Sequence, residues 1–173
     1  VRTLTLLAIG VMLLAGCAGP ADKAEATQQR RDLDSAGRQV TQALNELVPT
    51  IARELRTTLH GGFTGWASCT EPVAGNAQAI ADVQFDAIGL PTAEAVGKAA
   101  AALRTQGWSV SADPRGGVKA HRSGIDLILN LQGIVQSMSL RTACVETSKD
   151  VDQEYAGRQP RHLPVPWPAS GIG

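Results

Sequence analysis

Between Trp108 and Val145 apolar and polar residues alternate in short runs, and glycine-bearing turns separate the runs at regular intervals. Alternation with a period of two puts every second side chain on one face of a strand, so such runs in succession predict an antiparallel meander with an apolar face. The runs are Trp108 to Ser111, Val118 to Arg122, Ile125 to Leu131 and Ile134 to Val145. The turns are Asp113-Pro114-Arg115-Gly116-Gly117, Ser123-Gly124 and Gln132-Gly133, built from residues that take the backbone conformations tight reversals need. Ile125, Leu127, Leu129 and Leu131 share one face of the third run, and Met138, Leu140 and Cys144 share one face of the fourth.

Upstream the period becomes helical. Leu33, Ala36, Val40, Leu44, Leu47, Ile51, Leu55 and Leu59 recur at steps of three and four, which predicts an apolar stripe along a long helix starting near residue 30. Pro49 falls inside the stripe and predicts a kink or a restart, because proline lacks the amide and crowds the preceding turn. Gly61-Gly62 is expected to end the helix. Phe63 to Thr70, with Trp66 and Cys69, reads as a strand or an extended segment, and Ala79 to Ile88 reads as a strand. Thr92 is the expected N-cap of a second helix, with Val96, Ala99, Ala100 and Leu103 on its apolar face and Gly107 as its stop. The fold class that follows is α+β. A two-layer sandwich is expected, with an antiparallel sheet of about five strands covered on one face by the two helices and more polar on the other.

The first residues carry a different signature. Arg2 precedes Leu4 to Leu14, an apolar stretch of about 11 residues, the length of a signal-peptide core and too short to span a bilayer of ~30 Å. It leads into Leu14-Ala15-Gly16-Cys17, which resembles the lipobox of bacterial lipoproteins. Small residues there admit the signal peptidase, and the Cys17 thiol carries diacylglycerol, with an acyl chain added to the new terminus. The expected organisation is a signal peptide over residues 1–16, lipidated Cys17 with a flexible tether over 17–29, the α+β domain over 30–148 and a proline-rich tail over 149–173. Lipidation at Cys17 holds the protein to the outer face of the cell membrane.

Of the chain's 3 cysteines, the assignment of Cys17 to lipid leaves Cys69 and Cys144 as an even pair in an oxidising compartment, where disulfides persist. A structural disulfide is expected. A redox-active pair is the alternative, against which stand their wide separation and the absence of a C-x-x-C motif. Aromatic residues make up only 3% of the chain, so the core rests on Val, Ile, Leu and Ala, and a covalent staple adds to it. Basic and acidic residues balance at 16 each, which argues against a nucleic-acid partner, since such binders display a basic stripe.

The lipobox, the long first helix, Cys17, Cys69 and Cys144, the terminal meander and the ending Leu163-Pro164-Val165-Pro166-Trp167-Pro168 together resemble the LppA-like lipoproteins of mycobacteria. The resemblance implies an actinobacterial cell-envelope lipoprotein anchored by lipid, in a family without an established activity. It carries no catalytic residue over to this chain.

Chemistry-bearing motifs are sparse. His60, His121 and His162 stand on an expected helix end, a strand and the tail with no ligand spacing between them, so no metal site is expected. Gly116-Gly117 is turn chemistry rather than a phosphate loop, and Asp82, Asp86 and Glu94 read as solvated carboxylates. No enzyme and no cofactor beyond the covalent lipid are expected. Two binding roles remain. One is an interaction module that meets another envelope protein through the open sheet face or through Leu163, Pro164, Pro166, Trp167 and Pro168, since a proline-rich segment loses little entropy on capture. The other is a carrier or sensor of a lipid or other apolar ligand held between the helix layer and the sheet.

Overall fold

A computed structural model describes residues 20–69, 75–113, 116–132 and 135–164. Along the chain it forms α1 (Pro20–Leu55), β1 (Leu59–Ser68), β2 (Asn76–Phe85), α2 (Thr92–Thr105), β3 (Ser109–Asp113), β4 (Gly117–Arg122), β5 (Ile125–Asn130), β6 (Gln136–Thr142), β7 (Val145–Glu146), α3 (Lys149–Ala156) and β8 (Arg161–His162). All strand pairs are antiparallel, in the order β3-β4-β5-β6-β2-β1-β8, with β7 also on β2. This is the α+β sandwich read from the sequence, with an 8-stranded sheet in place of about five strands. The surplus comes from β1 and from the two-residue β7 and β8, which are too short to show a period.

Alternation becomes packing in the meander. Register sets Val118, Leu129, Met138 and Val83 in one row across the sheet, and Ala120, Leu127, Leu140 and Ala81 in the next. All eight are buried, and the α1 stripe of Val40, Leu44, Leu47 and Ile51 lies in the same core with Ala99 and Leu103 of α2. The small residues Ala79, Ala81 and Ala120 let the helices come close to the sheet. Ser123 (φ 50) and Gly124 (φ 76) make the two-residue turn between β4 and β5, both left-handed as this kind of hairpin requires. The opposite sheet face holds Lys119, His121, Asp126 and Asn130, with Ile128 among them at 42% exposure.

Several boundaries differ from expectation. Helix α1 is continuous through Pro49, and it starts at Pro20, so the segment 17–29 is not a flexible tether from Pro20 onward. Its polar composition hides the period, but side-chain bonds from Thr27 to the Lys23 carbonyl, from Gln28 to Asp32 and from Gln29 to Glu25 run at helical spacing, and a docked helix propagates outward at low cost. Gln29 also accepts the Ser148 amide, tying this turn to the domain.

The helix ends earlier than Gly61-Gly62. Arg56 takes a left-handed conformation (φ 55), while its amide donates to the Arg53 carbonyl and the Thr57 amide to the Ala52 carbonyl, the paired bonds of a Schellman stop. Leu59, the last residue of the sequence stripe, therefore opens β1, and Gly61-Gly62 lies within that strand beside a bulge. Arg56 is exposed, so Arg56→Gly is expected to stabilise the fold by about 0.5–1 kcal/mol by relieving left-handed strain. The urea midpoint checks this; an unchanged or lower midpoint would show that the arginine pays no conformational penalty.

Three further positions differ from expectation. Pro91, not Thr92, occupies the N-cap of α2, and no side chain caps it. The segment 149–173 is not an extended, proline-rich tail from its start: Ser148 caps α3 by accepting the Val151 amide, and Val151 and Tyr155 are buried. Two turns of helix are too few for periodicity to register, yet the i, i+4 spacing of Val151 and Tyr155 suffices to dock them. Cys144 likewise leaves the core face, because the strand breaks after Thr142, whose hydroxyl accepts the Ala79 amide, and Cys144 is exposed.

Candidate functional site

Beside its apolar stripe, α1 carries a second row, Asp34, Arg38, Thr41 and Asn45, at the three- and four-residue spacing that puts side chains on one flank of a helix. That flank faces the β1 edge of the sheet across an open cleft of about 670 Å³. Thr64 and Trp66 line the sheet side, and Arg158, Gln159 and Arg161 line the end. Trp66 forms the inner wall because Gly37 has no side chain: a Cβ there would come within 2.9 Å of the indole ring.

Tyr155 organises the end of the cleft. Its ring is fully buried, meets Trp66 edge-on with centroids 4.9 Å apart, and carries the Arg158 guanidinium over its face at 3.5 Å. The hydroxyl donates toward Asp34 Oδ1 at 2.8 Å and the Arg30 carbonyl at 3.1 Å. Burial, then the hydrogen bond to Asp34, raises the phenol pKa above its usual value and keeps it neutral. Arg158 also pairs with Asp34 at 3.6 Å and Glu154 at 2.9 Å, and Arg30 pairs with Glu154 at 2.8 Å. Those two guanidinium hydrogen bonds hold the Glu154 carboxyl below its usual range.

The charges in this network are matched with one another. Arg38 and Arg161 are different: both are exposed, both line the cleft, and neither side chain has an ion pair or hydrogen bond among the described residues. Arg161 stands opposite Thr64 in the β1–β8 register, and so faces the helix side of the sheet. The lining therefore has three guanidinium groups against the Asp34 carboxylate, an arrangement that draws anions.

None of the described residues singled out from sequence as site residues lines this cleft. Cys69 and Cys144 form a disulfide with Cα atoms 6.2 Å apart. Leu163 is half-buried on the domain's own core, with its amide donating to the Gly62 carbonyl, and Pro164 is exposed. Cys17, Pro166, Trp167 and Pro168 lie outside the described residues. His60 bonds Asp86 at 3.0 Å, His121 bonds Asp126 at 2.8 Å, and His162 sits opposite Phe63 on β8. Among the described residues no cluster of His, Cys, Asp and Glu could hold a metal. Sequence reading missed Arg38, Arg158 and Arg161. The flank row on α1 was visible in the helical spacing, but its partners fell in the stretch read as tail.

No family model, no curated protein and no solved structure matches this chain.

Proposed function

We propose that this chain is an exported, lipid-anchored protein of the bacterial cell envelope whose domain binds a ligand or an envelope partner and performs no catalysis. The observation that carries the binding role is the open cleft lined by Arg38 of α1 and Arg161 of β8, neither side chain matched among the described residues. The anchor reading rests on the apolar stretch ending in Leu14-Ala15-Gly16-Cys17, and the layout resembling LppA-like lipoproteins agrees with it. Among the described residues no helix is long and apolar enough to cross a membrane.

Support for surface binding over an apolar carrier comes from the interlayer space. Leu44, Leu47, Ile51, Val83, Leu127 and Leu140 fill it, each at 0–1% exposure. The anchor also constrains the domain's position. Pro20 lies three positions beyond Cys17, a span of about 10 Å at full extension, so the start of α1 stays beside the bilayer and the domain has little freedom to drift.

The test is Cys17→Ser, expressed in a mycobacterial host. The wild-type chain is expected in the membrane fraction with the intact mass of a diacylglyceryl, N-acylated Cys17, and the variant is expected to leave that fraction. A variant that stays with the membrane, or a wild-type mass without acyl chains, would overturn the anchor.

A further inference from the structure

We propose that the cleft binds an organic phosphate, held between Arg38 on α1 and Arg161 on β8. The proposal rests on the binding role assigned to the cleft and adds the class of ligand.

Charge and geometry carry the argument. Arg158 is already engaged by Asp34, Glu154 and the Tyr155 ring, so it supplies a wall and not a free grip. Among the described residues the Arg38 and Arg161 guanidinium groups retain all their donors, and they come from different elements, α1 and β8. A carboxylate carries one charge and is matched by one guanidinium, whereas a phosphate monoester carries about −1.5 to −2 at neutral pH and several acceptor oxygens. Two forked guanidinium groups fit the second chemistry, each giving parallel N–H···O bonds. Thr64, Asn45 and Gln159 add neutral polar groups along the walls, and the Trp66 ring offers a flat surface for the organic part. An open cleft of about 670 Å³ accommodates a small ester rather than a bare ion.

Soluble monoesters and the phosphatidic acid headgroup share this chemistry. Arg38 lies about 27 Å farther along α1 than Pro20, which puts the cleft above the headgroups when the helix stands upright. On that geometry the soluble source is expected.

Isothermal titration of the full chain, disulfide intact, in a mild non-ionic detergent tests the proposal with two monoester probes, glycerol 3-phosphate and dihexanoyl phosphatidic acid. Saturable binding of either probe is expected, weakened about tenfold by Arg38→Ala or Arg161→Ala and more by both together. Arg104→Ala, on the exposed side of α2, leaves it unchanged. Both cleft arginines are exposed and unbonded, so equal thermal midpoints for the variants separate loss of binding from loss of fold. Binding of glycerol 3-phosphate assigns a soluble source, and binding of the short-chain lipid alone assigns a headgroup. Absence of saturable binding by both probes, or binding that the double variant leaves intact, overturns the proposal. Failure here alongside a Cys17-acylated, membrane-bound chain would remove the ligand class and leave the anchor standing.

Discussion

Replacing Tyr155 with alanine is expected to lower the free energy of unfolding by about 3–5 kcal/mol, and replacing it with phenylalanine by only about 1 kcal/mol. The contrast follows from what the side chain does. Its ring is at 0% exposure among Leu33, Ala77 and Val151, with Trp66 packed on the edge of the cluster. This small cluster joins α3 to α1 and to the start of β2. Truncation to alanine leaves a void beneath Trp66 and removes the ring that supports Arg158. Phenylalanine keeps the ring and loses only the hydroxyl. The partners it leaves are replaceable, because Asp34 is half exposed and retains Arg158. Urea midpoints of the two variants, read with amide exchange in residues 149–156, check the prediction. Alanine is expected to erase protection in α3 while the meander stays protected. A loss below about 1 kcal/mol for alanine would mean that α3 contributes nothing to the fold, and the end wall of the cleft would lose its support with it.

The residues that were legible in sequence are those whose environment repeats. Ile125, Leu127 and Leu129 announce a strand because a half-buried sheet imposes one rule on all three. Leu33 to Leu55 announce a helix for the same reason, over many turns. Tyr155 could not be read this way. It is buried by a two-turn helix that has one other buried apolar residue, and its neighbours are Leu33 and Trp66, more than eighty positions away in the chain. The strand β8 was hidden by a different cause. Arg161 and His162 are polar, short and followed by prolines, so the stretch reads as extended and solvated, and it is indeed extended. What the reading could not supply was the partner: the free edge of β1, to which two residues of backbone bond. Edge pairing is made by main-chain groups, so the residues do not name the strand they pair with.

The cleft follows the same division. Its helix wall is written at regular spacing on α1, as Asp34, Arg38, Thr41 and Asn45. Which of those charges is free is a tertiary fact. Asp34 loses its independence because Tyr155 and Arg158 fold back onto it, and Arg38, one helical turn on, has no answering carboxylate among the described residues. A fold that neutralises one position and leaves the next unmatched builds an anion site from residues that look alike in the sequence.

Removal of the disulfide is the second large effect, expected to cost about 4 kcal/mol. Cys69 and Cys144 are separated by 75 residues, and closing a loop of that order removes roughly 4 kcal/mol of conformational freedom from the unfolded chain. Native geometry adds to the loss. Cys69 follows β1 and Cys144 precedes β7, while β2 runs between those strands with Ala77 paired to Ser68 on one side and Val145 on the other. The bridge thus clasps both neighbours of β2 at its first residues. β7 has only two paired residues of its own, and it leads directly into Ser148, the cap of α3. Without the clasp β7 is expected to fray and to loosen the Tyr155 cluster behind it. The variant to make is Cys69→Ser with Cys144→Ser, so that no lone thiol remains, and the measurement is the urea midpoint beside that of the wild type with and without reductant. Reduced wild type is expected to match the double variant. A loss well below 1 kcal/mol in both would deny the bridge its structural role and return the pair to the redox alternative, in which a bond that costs little to break is one that the protein opens in use.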